Sequence, residues 1–273
     1  MLRDAAATGD ILAEILEQER ERVAQAERAV PLAGLQRRAE ARQPRDFAAA
    51  LRSAPPPAVI AEIKQASPSR GLLRSALDVP VIAAAYAAAG ASAISVLTEG
   101  PHFRGRLEYL GQARATCPLP LLRKDFIFSD YQVWESAAHG ADAVLLIVAA
   151  LDDALLPRLL ATAARAGLAA LTEVHDEAEM LRALAAGATI LGINNRDLRS
   201  LRVDKELAWR LAPRMPAEVV KVAESGLRDG EDLRRAAAAG FDAVLIGERF
   251  MQSADPGAAL AALLAAARGQ TVS

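Results

Sequence analysis

One cysteine, Cys117, occurs in 273 residues. That excludes an internal disulfide and any cysteine-rich metal site, and it fits a reducing compartment. No basic block is present: 32 Lys and Arg are interspersed with 34 Asp and Glu. Nothing in that balance argues for nucleic acid or a membrane surface as a partner. The alanine-rich stretches are broken before they reach the roughly 20 apolar residues of a membrane-spanning helix. The opening "MLRDAAATGDILAEI" is acidic and broken by polar residues, unlike a secretory signal. The cytoplasm is the expected compartment. A G-x-G-x-x-G turn after the first apolar run is also missing, since "EIKQASPSRG" stands there, which speaks against an open dinucleotide-binding sheet. What is present is 52% apolar and 24% charged, the balance of a globular chain able to bury a sizeable core.

Asp10 to Arg28, "DILAEILEQERERVAQAER", sets Ile11, Ile15 and Val23 at helical spacing among Glu and Arg, which predicts an amphipathic helix. A linker with Pro31 follows. "PRDFAAALRS" predicts a second short helix, closed by "APPPA" at Ala54 to Ala58. Eight apolar runs then alternate with stretches long enough for helices. They are "AVIAEIK" (Ala58–Lys64), "AISVLT" (Ala93–Thr98), "PLLRKDF" (Pro120–Phe126), "AVLLIV" (Ala143–Val148), "LAALTEV" (Leu168–Val174), "ILGINN" (Ile190–Asn195), "VVKVAES" (Val219–Ser225) and "AVLIGE" (Ala243–Glu248). Near-continuous apolar runs suit strands buried on both faces. Their alternation with helices implies parallel βα units. Gly90, Gly140, Gly187 and Gly240 each stand between a helix and the next strand, where a left-handed cap is wanted. Eight such units predict a TIM (β/α)8 barrel in one domain, with residues 1–57 as a helical extension and 58–270 as the barrel.

Catalytic residues of such a barrel lie at the C-terminal ends of its strands. Those ends hold Glu62 and Lys64, Lys124, Glu173, Asn194 and Arg196, Glu224 and Ser225, and Gly247. Blander readings stand beside each. Glu62 and Lys64 can be a solvated ion pair on one strand face. Lys124 is one of three consecutive charges in "RKDF", and one of three usually points to solvent. "INNRDL" can be a turn whose asparagines satisfy backbone groups. His175, in "TEVHDE", reads as a loop residue with no role. Ser225, Gly226 and Gly247 follow the seventh and eighth strands, where this fold commonly binds phosphate. A phosphate at one side and two lysines with glutamates across the mouth suggest acid–base chemistry on a sugar phosphate.

"IAEIKQASPSRG", "LLRKDFI", "LTEVHDEAE", "GINNRDL", "VAESGL" and "VLIGERFM", with "SVLTEGPHFRGRLEYL", together resemble the indole-3-glycerol-phosphate synthase family, in its order and over essentially the whole chain. The resemblance implies conversion of 1-(2-carboxyphenylamino)-1-deoxyribulose 5-phosphate to indole-3-glycerol phosphate, with loss of CO2 and water, in tryptophan biosynthesis. It implies that Lys124 is the general acid at the substrate ketone and that Lys64 assists near the substrate carboxylate. It implies acid–base work for Glu173, an orienting role for Glu62, and contacts of Asn194 and Glu224 to the ribulose hydroxyls. Ser67, Arg196, Ser225, Gly226 and Gly247 match binding positions, several at the phosphate. Phe103, Phe126, Leu145 and Leu198 match an apolar wall around the anthranilate ring. No metal or organic cofactor is implied, because the substrate's ketone accepts the electrons.

A proton-donating lysine benefits from a pKa brought toward neutral by burial and a neighbouring cation, and Lys64 is expected to be that neighbour for Lys124. Glu248 follows Gly247 where a serine sometimes sits. A carboxylate there would repel phosphate, so its side chain is expected to turn away. The isomerase one step earlier in the pathway relies on a catalytic cysteine, and Cys117 stands before the third strand rather than at a strand's C-terminal end. A non-catalytic phosphate-binding barrel would need Lys64, Lys124 or Glu173 to be lost. The chain closes just after its last helical stretch, which fits a single activity. Oligomeric state is not legible, and a monomer is the default.

Overall fold

A computed structural model describes residues 11–270. The reading of the first ten residues as no secretory signal lies outside the described residues. The eight expected strands are β1 (Ala58–Ile63), β2 (Ala93–Leu97), β3 (Leu121–Lys124), β4 (Ala143–Ile147), β5 (Ala169–Val174), β6 (Ile190–Asn194), β7 (Val220–Glu224) and β8 (Ala243–Ile246). Each runs parallel to the next, and β8 pairs back onto β1, with Ala58 opposite Ala243 and Ala61 opposite Ile246. The chain is a closed (β/α)8 barrel. Several runs overreach at their C-terminal ends, because the polar residues there leave the ladder and enter loops.

Side chains alternate across a strand, and the two sets have different neighbours. Val59, Ala61 and Ile63 of β1 pack in the cluster shared with the surrounding helices. Ala58 and Ile60 join Leu122, Leu145, Leu171, Ile190, Val222 and Leu245 inside the barrel. The four glycines expected at helix ends all have left-handed backbone, with φ between 80° and 97°. Asp78, Ser129, Asp176, Asp229 and Asp255 cap helix starts by accepting first-turn N–H groups. No described helix is long and apolar enough to cross a membrane.

Among the described residues the extension holds three helices: α1 (Ile11–Ala29), α2 (Leu32–Glu40) and α3 (Phe47–Ser53). The expected linker after Pro31 is the start of α2. Its burial signal is short, with only Leu35 and Ala39 buried among arginines and glutamates. Leu35 packs against Val23 of α1 and Tyr131, and the Tyr131 hydroxyl donates to the carbonyls of Ala26 and Val30 at 2.9 and 3.1 Å. Both outer helices of the extension reach the barrel interior. Leu12, Ile15 and Leu16 of α1 and Phe47 and Leu51 of α3 belong to the interior cluster.

In "RKDF" none of the three charges lies open to solvent, which corrects the expectation. Lys124 follows the inward set. Arg123 and Asp125 take the outward set and are buried against the helix Asp130–Ala138, each at most 3% exposed. Arg123 pairs with Asp125 and with Glu135, both at 2.9 Å. Arg22 of α1 reaches Glu135 at 3.5 Å and Glu19 at 2.7 Å. The strand that carries Lys124 is thus tied to the extension by charge. Removing one partner strands the others in a dry site. Arg123→Leu is therefore expected to lower unfolding free energy by about 3–5 kcal/mol, measured by urea denaturation. A change below about 1 kcal/mol, the range of exposed pairs, would show that the network is not holding the strand.

Candidate active site

The inward set continues to the C-terminal strand ends, and there it becomes polar. Glu62 lies on β1, Lys124 on β3, Glu173 on β5, Asn194 on β6 and Glu224 on β7, with Lys64 one residue past β1. All of them line one cavity of about 1180 Å³. The same cavity takes in Ser67, Phe103, Phe126, Leu145, Arg196, Leu198, Ser225, Gly226 and Gly247. Every residue singled out in the sequence is brought together there.

Lys124 Nζ is 2.9 Å from Glu173 Oε2 and 3.5 Å from Glu224 Oε2. Lys64 Nζ is 2.6 Å from Glu62 Oε1, so the lysines sit with separate carboxylates. Two glycines make room for these acids. A Cβ at Gly192 would strike the Glu224 carboxylate, and one at Gly247 would strike Glu62. The absent side chain of Gly247 thus leaves room for Glu62. Glu224 Oε1 is buried with no hydrogen-bond partner among the described residues, and Glu173 Oε1, also without a hydrogen bond, has the His175 ring 3.3 Å away. Buried carboxylate oxygens without donors are costly, so Glu224 Oε1 is an open position for a group on a ligand.

Burial alone would lower the Lys124 pKa, but Glu173, Glu224 and Glu62 outweigh it and push it above the ordinary lysine range. That corrects the expectation of a value brought toward neutral. The ammonium faces carboxylates rather than a second cation. Burial alone would raise Glu173, yet Lys124 and then His175 hold it well below the usual carboxylate range. For Glu224 burial wins: together with Glu173 it overrides Lys124 and lifts the carboxyl to about 8. One acid is ionised and its neighbour carries a proton near neutrality.

His175, read as a loop residue with no role, lies against Glu173. Its Nε2 is 3.3 Å from Glu173 Oε1 and its Nδ1 is 3.1 Å from Glu179 Oε2. The available signal was spacing: two residues past Glu173 on a strand, and four before Glu179 on the following helix.

At the other side of the mouth, Ser225 and Gly226 both have left-handed backbone, φ 65° and 81°. A non-glycine residue held there is strained, and such strain gathers at ligand sites. Arg196 donates to the carbonyl of Leu201 at 3.0 Å. Glu248 is among the residues that line the cavity. Its carboxylate pairs with Arg70 at 2.9 Å and stands 3.7 Å from Arg196. These two guanidinium groups offset its charge. Arg70, Lys205, Arg228 and Arg249 also line this cavity and were not singled out in the sequence. The apolar wall pairs Phe103 with Phe126 at a centroid distance of 6.4 Å. Phe103 is held by the buried Glu99, which accepts its backbone N–H at 2.8 Å. Ile11, Leu12 and Ile15 of α1 complete that wall.

The family model described as indole-3-glycerol phosphate synthase matches residues 12–263. The chain belongs to that family. The indole-3-glycerol phosphate synthase of Parafrankia sp. is 53% identical over 246 residues, 90% of this chain and 91% of that protein. The indole-3-glycerol phosphate synthase of Albidiferax ferrireducens is 48% identical over 262 residues, 94% of this chain and 99% of that protein. Among solved structures, thiamine phosphate pyrophosphorylase from Pyrococcus furiosus superposes with a TM-score of 0.60 at 18% identity, over 82% of this chain and 98% of that chain. That likeness shows the shared barrel alone.

A carboxyl raised from 4.5 to about 8 binds a proton in the folded chain that the unfolded chain releases. The contribution of Glu224 to stability is therefore full below the lower value and is lost as pH rises through the upper one. Glu224→Gln keeps the neutral shape and removes the titration. Its unfolding free energy is expected to fall less than that of the parent between those two pH values. Parallel stability–pH curves for parent and variant, by urea titration, would contradict the raised value.

Proposed function

We propose that this chain closes the indole ring of 1-(2-carboxyphenylamino)-1-deoxyribulose 5-phosphate, releasing CO2 and water to give indole-3-glycerol phosphate. It acts in tryptophan biosynthesis as a carboxy-lyase. The observation that carries the reading is Lys124, a buried ammonium held between the carboxylates of Glu173 and Glu224 at 2.9 and 3.5 Å in the cavity.

The aromatic carbon that bears the substrate carboxylate attacks the ribulose ketone. Lys124, held charged by its carboxylates, polarises that carbonyl and gives its proton to the oxygen as negative charge develops there. Loss of CO2 restores the aromatic ring. Dehydration then needs a proton removed from the former C1 methylene of the ribulose, beside the anilino nitrogen, and one given to the leaving C2 hydroxyl, so that the ring double bond forms and the nitrogen keeps its hydrogen. Glu173 is ionised and so suited to take the first, with Lys64 as the neighbouring donor for the second. Glu62, 2.6 Å from Lys64, orients that ammonium. Asn194 and protonated Glu224 hold the ribulose hydroxyls. Ser67, Arg196, Ser225, Gly226 and Gly247 surround the phosphate. Phe103, Phe126, Leu145 and Leu198 flank the anthranilate ring. The ketone accepts the electron pair, so the chemistry calls for no metal or organic cofactor. The single buried, unpaired cysteine supports a reducing cytoplasmic setting, and a monomer is part of the same proposal.

Incubation with the substrate, followed by indole absorbance, is expected to show product with the parent chain. Lys124→Ala is expected to lose turnover by at least about 10³-fold and Glu173→Gln by about 10²-fold or more, the scale of general acid–base catalysis. Both should keep the far-ultraviolet dichroism of the parent. Unchanged turnover in Lys124→Ala would overturn the assignment.

A further inference from the structure

We propose that His175 is a positioning residue for Glu173, fixing one oxygen of its carboxylate while Lys124 engages the other. The proposal rests on the acid–base role given to Glu173 above.

His175 sits one residue beyond β5 and shares the strand face of Glu173. Its side chain is only 10% exposed. Both ring nitrogens face carboxylates: Nε2 faces Glu173 at 3.3 Å and Nδ1 faces Glu179 at 3.1 Å. A neutral imidazole can donate from one nitrogen only, so this surrounding favours the imidazolium. Burial alone would lower the His175 pKa, but the two carboxylates outweigh it and raise it to about 10. Glu179 is itself fixed. It accepts the His175 backbone N–H at 2.8 Å, and its own N–H donates to the helix cap Asp176 at 2.8 Å. The ring is thus held from the start of the helix Glu177–Ala185. Other charged groups face the pair as well: Lys124 and Glu224 from β3 and β7, and Asp197 from the loop after β6.

A purely structural histidine would cap the helix and leave the chemistry alone. The geometry points elsewhere, because Glu173 Oε1 accepts no hydrogen bond among the described residues and the imidazole meets it as an ion pair at 3.3 Å. Without the imidazolium, that oxygen keeps only the cost of burial. The carboxylate then protonates more readily and is less tightly oriented.

The test is a set of pH profiles of kcat/KM on the full chain, using the ring-closure substrate. His175→Gln is expected to move the acid limb up by about one pH unit, the size of a lost neighbouring charge. kcat should fall about tenfold while KM stays within about twofold. His175→Lys, which returns a cation, should restore the limb. Glu179→Gln, which loosens the ring but leaves Glu173 untouched, should shift it in the same direction by less, and it guards against a folding failure of the first variant. An unchanged limb and kcat in both His175→Gln and Glu179→Gln would overturn the proposal. Full turnover in Glu173→Gln would instead remove the role of Glu173 itself. An inactive Glu173→Gln beside a normal His175→Gln would sink only the inference about His175.

Discussion

Two buried carboxylates, Glu173 and Glu224, share one ammonium group, that of Lys124, at 2.9 and 3.5 Å. Each charge taken from water here is costly unless paired. One lysine cannot fully satisfy two acids. Glu173 takes the ion pair and stays ionised, and Glu224 keeps a proton near neutrality. The division gives the barrel mouth an acid, a base and a fixed cation from three side chains. It also explains two glycines that look unremarkable in the chain. Gly192 and Gly247 lack the Cβ atoms that would strike Glu224 and Glu62.

The frame for this cluster is the two-residue period of the strands. Within "RKDF" it sends Lys124 into the mouth and turns Arg123 and Asp125 toward the helices. The outward pair costs desolvation too, and it is offset by Glu135 at 2.9 Å and by Arg22 and Glu19 of α1. The N-terminal extension therefore does two jobs. Its charges brace the strand of Lys124, and its apolar residues Ile11, Leu12 and Ile15 wall the cavity.

Much of the barrel was legible because both-faces-buried strands read as apolar runs and because glycine marks the helix ends. The site was legible because polar residues in such runs collect where the strands end. Other features depend on what meets across space. The helix α2 shows only two buried residues, too few for a periodic signal. Glu248 reads as a repulsive charge until Arg70 and Arg196 are seen beside it. Lys124 was read as a lysine lowered by a second cation, but Lys64 is paired with Glu62 and the carboxylates push Lys124 the other way. His175 hides in plain sequence because its two partners lie on different elements.

The central claim is that Lys124 is held as a cation by its carboxylates. The chain contains four lysines, so the Nζ and Cε signals of an isotope-labelled sample can be assigned by loss in Lys124→Arg. Nuclear magnetic resonance titration of the parent protein should show the Lys124 signal unchanged up to the ordinary lysine value of about 10.4. A midpoint near about pH 7, as a lysine lowered by burial and a neighbouring cation would give, would contradict the account.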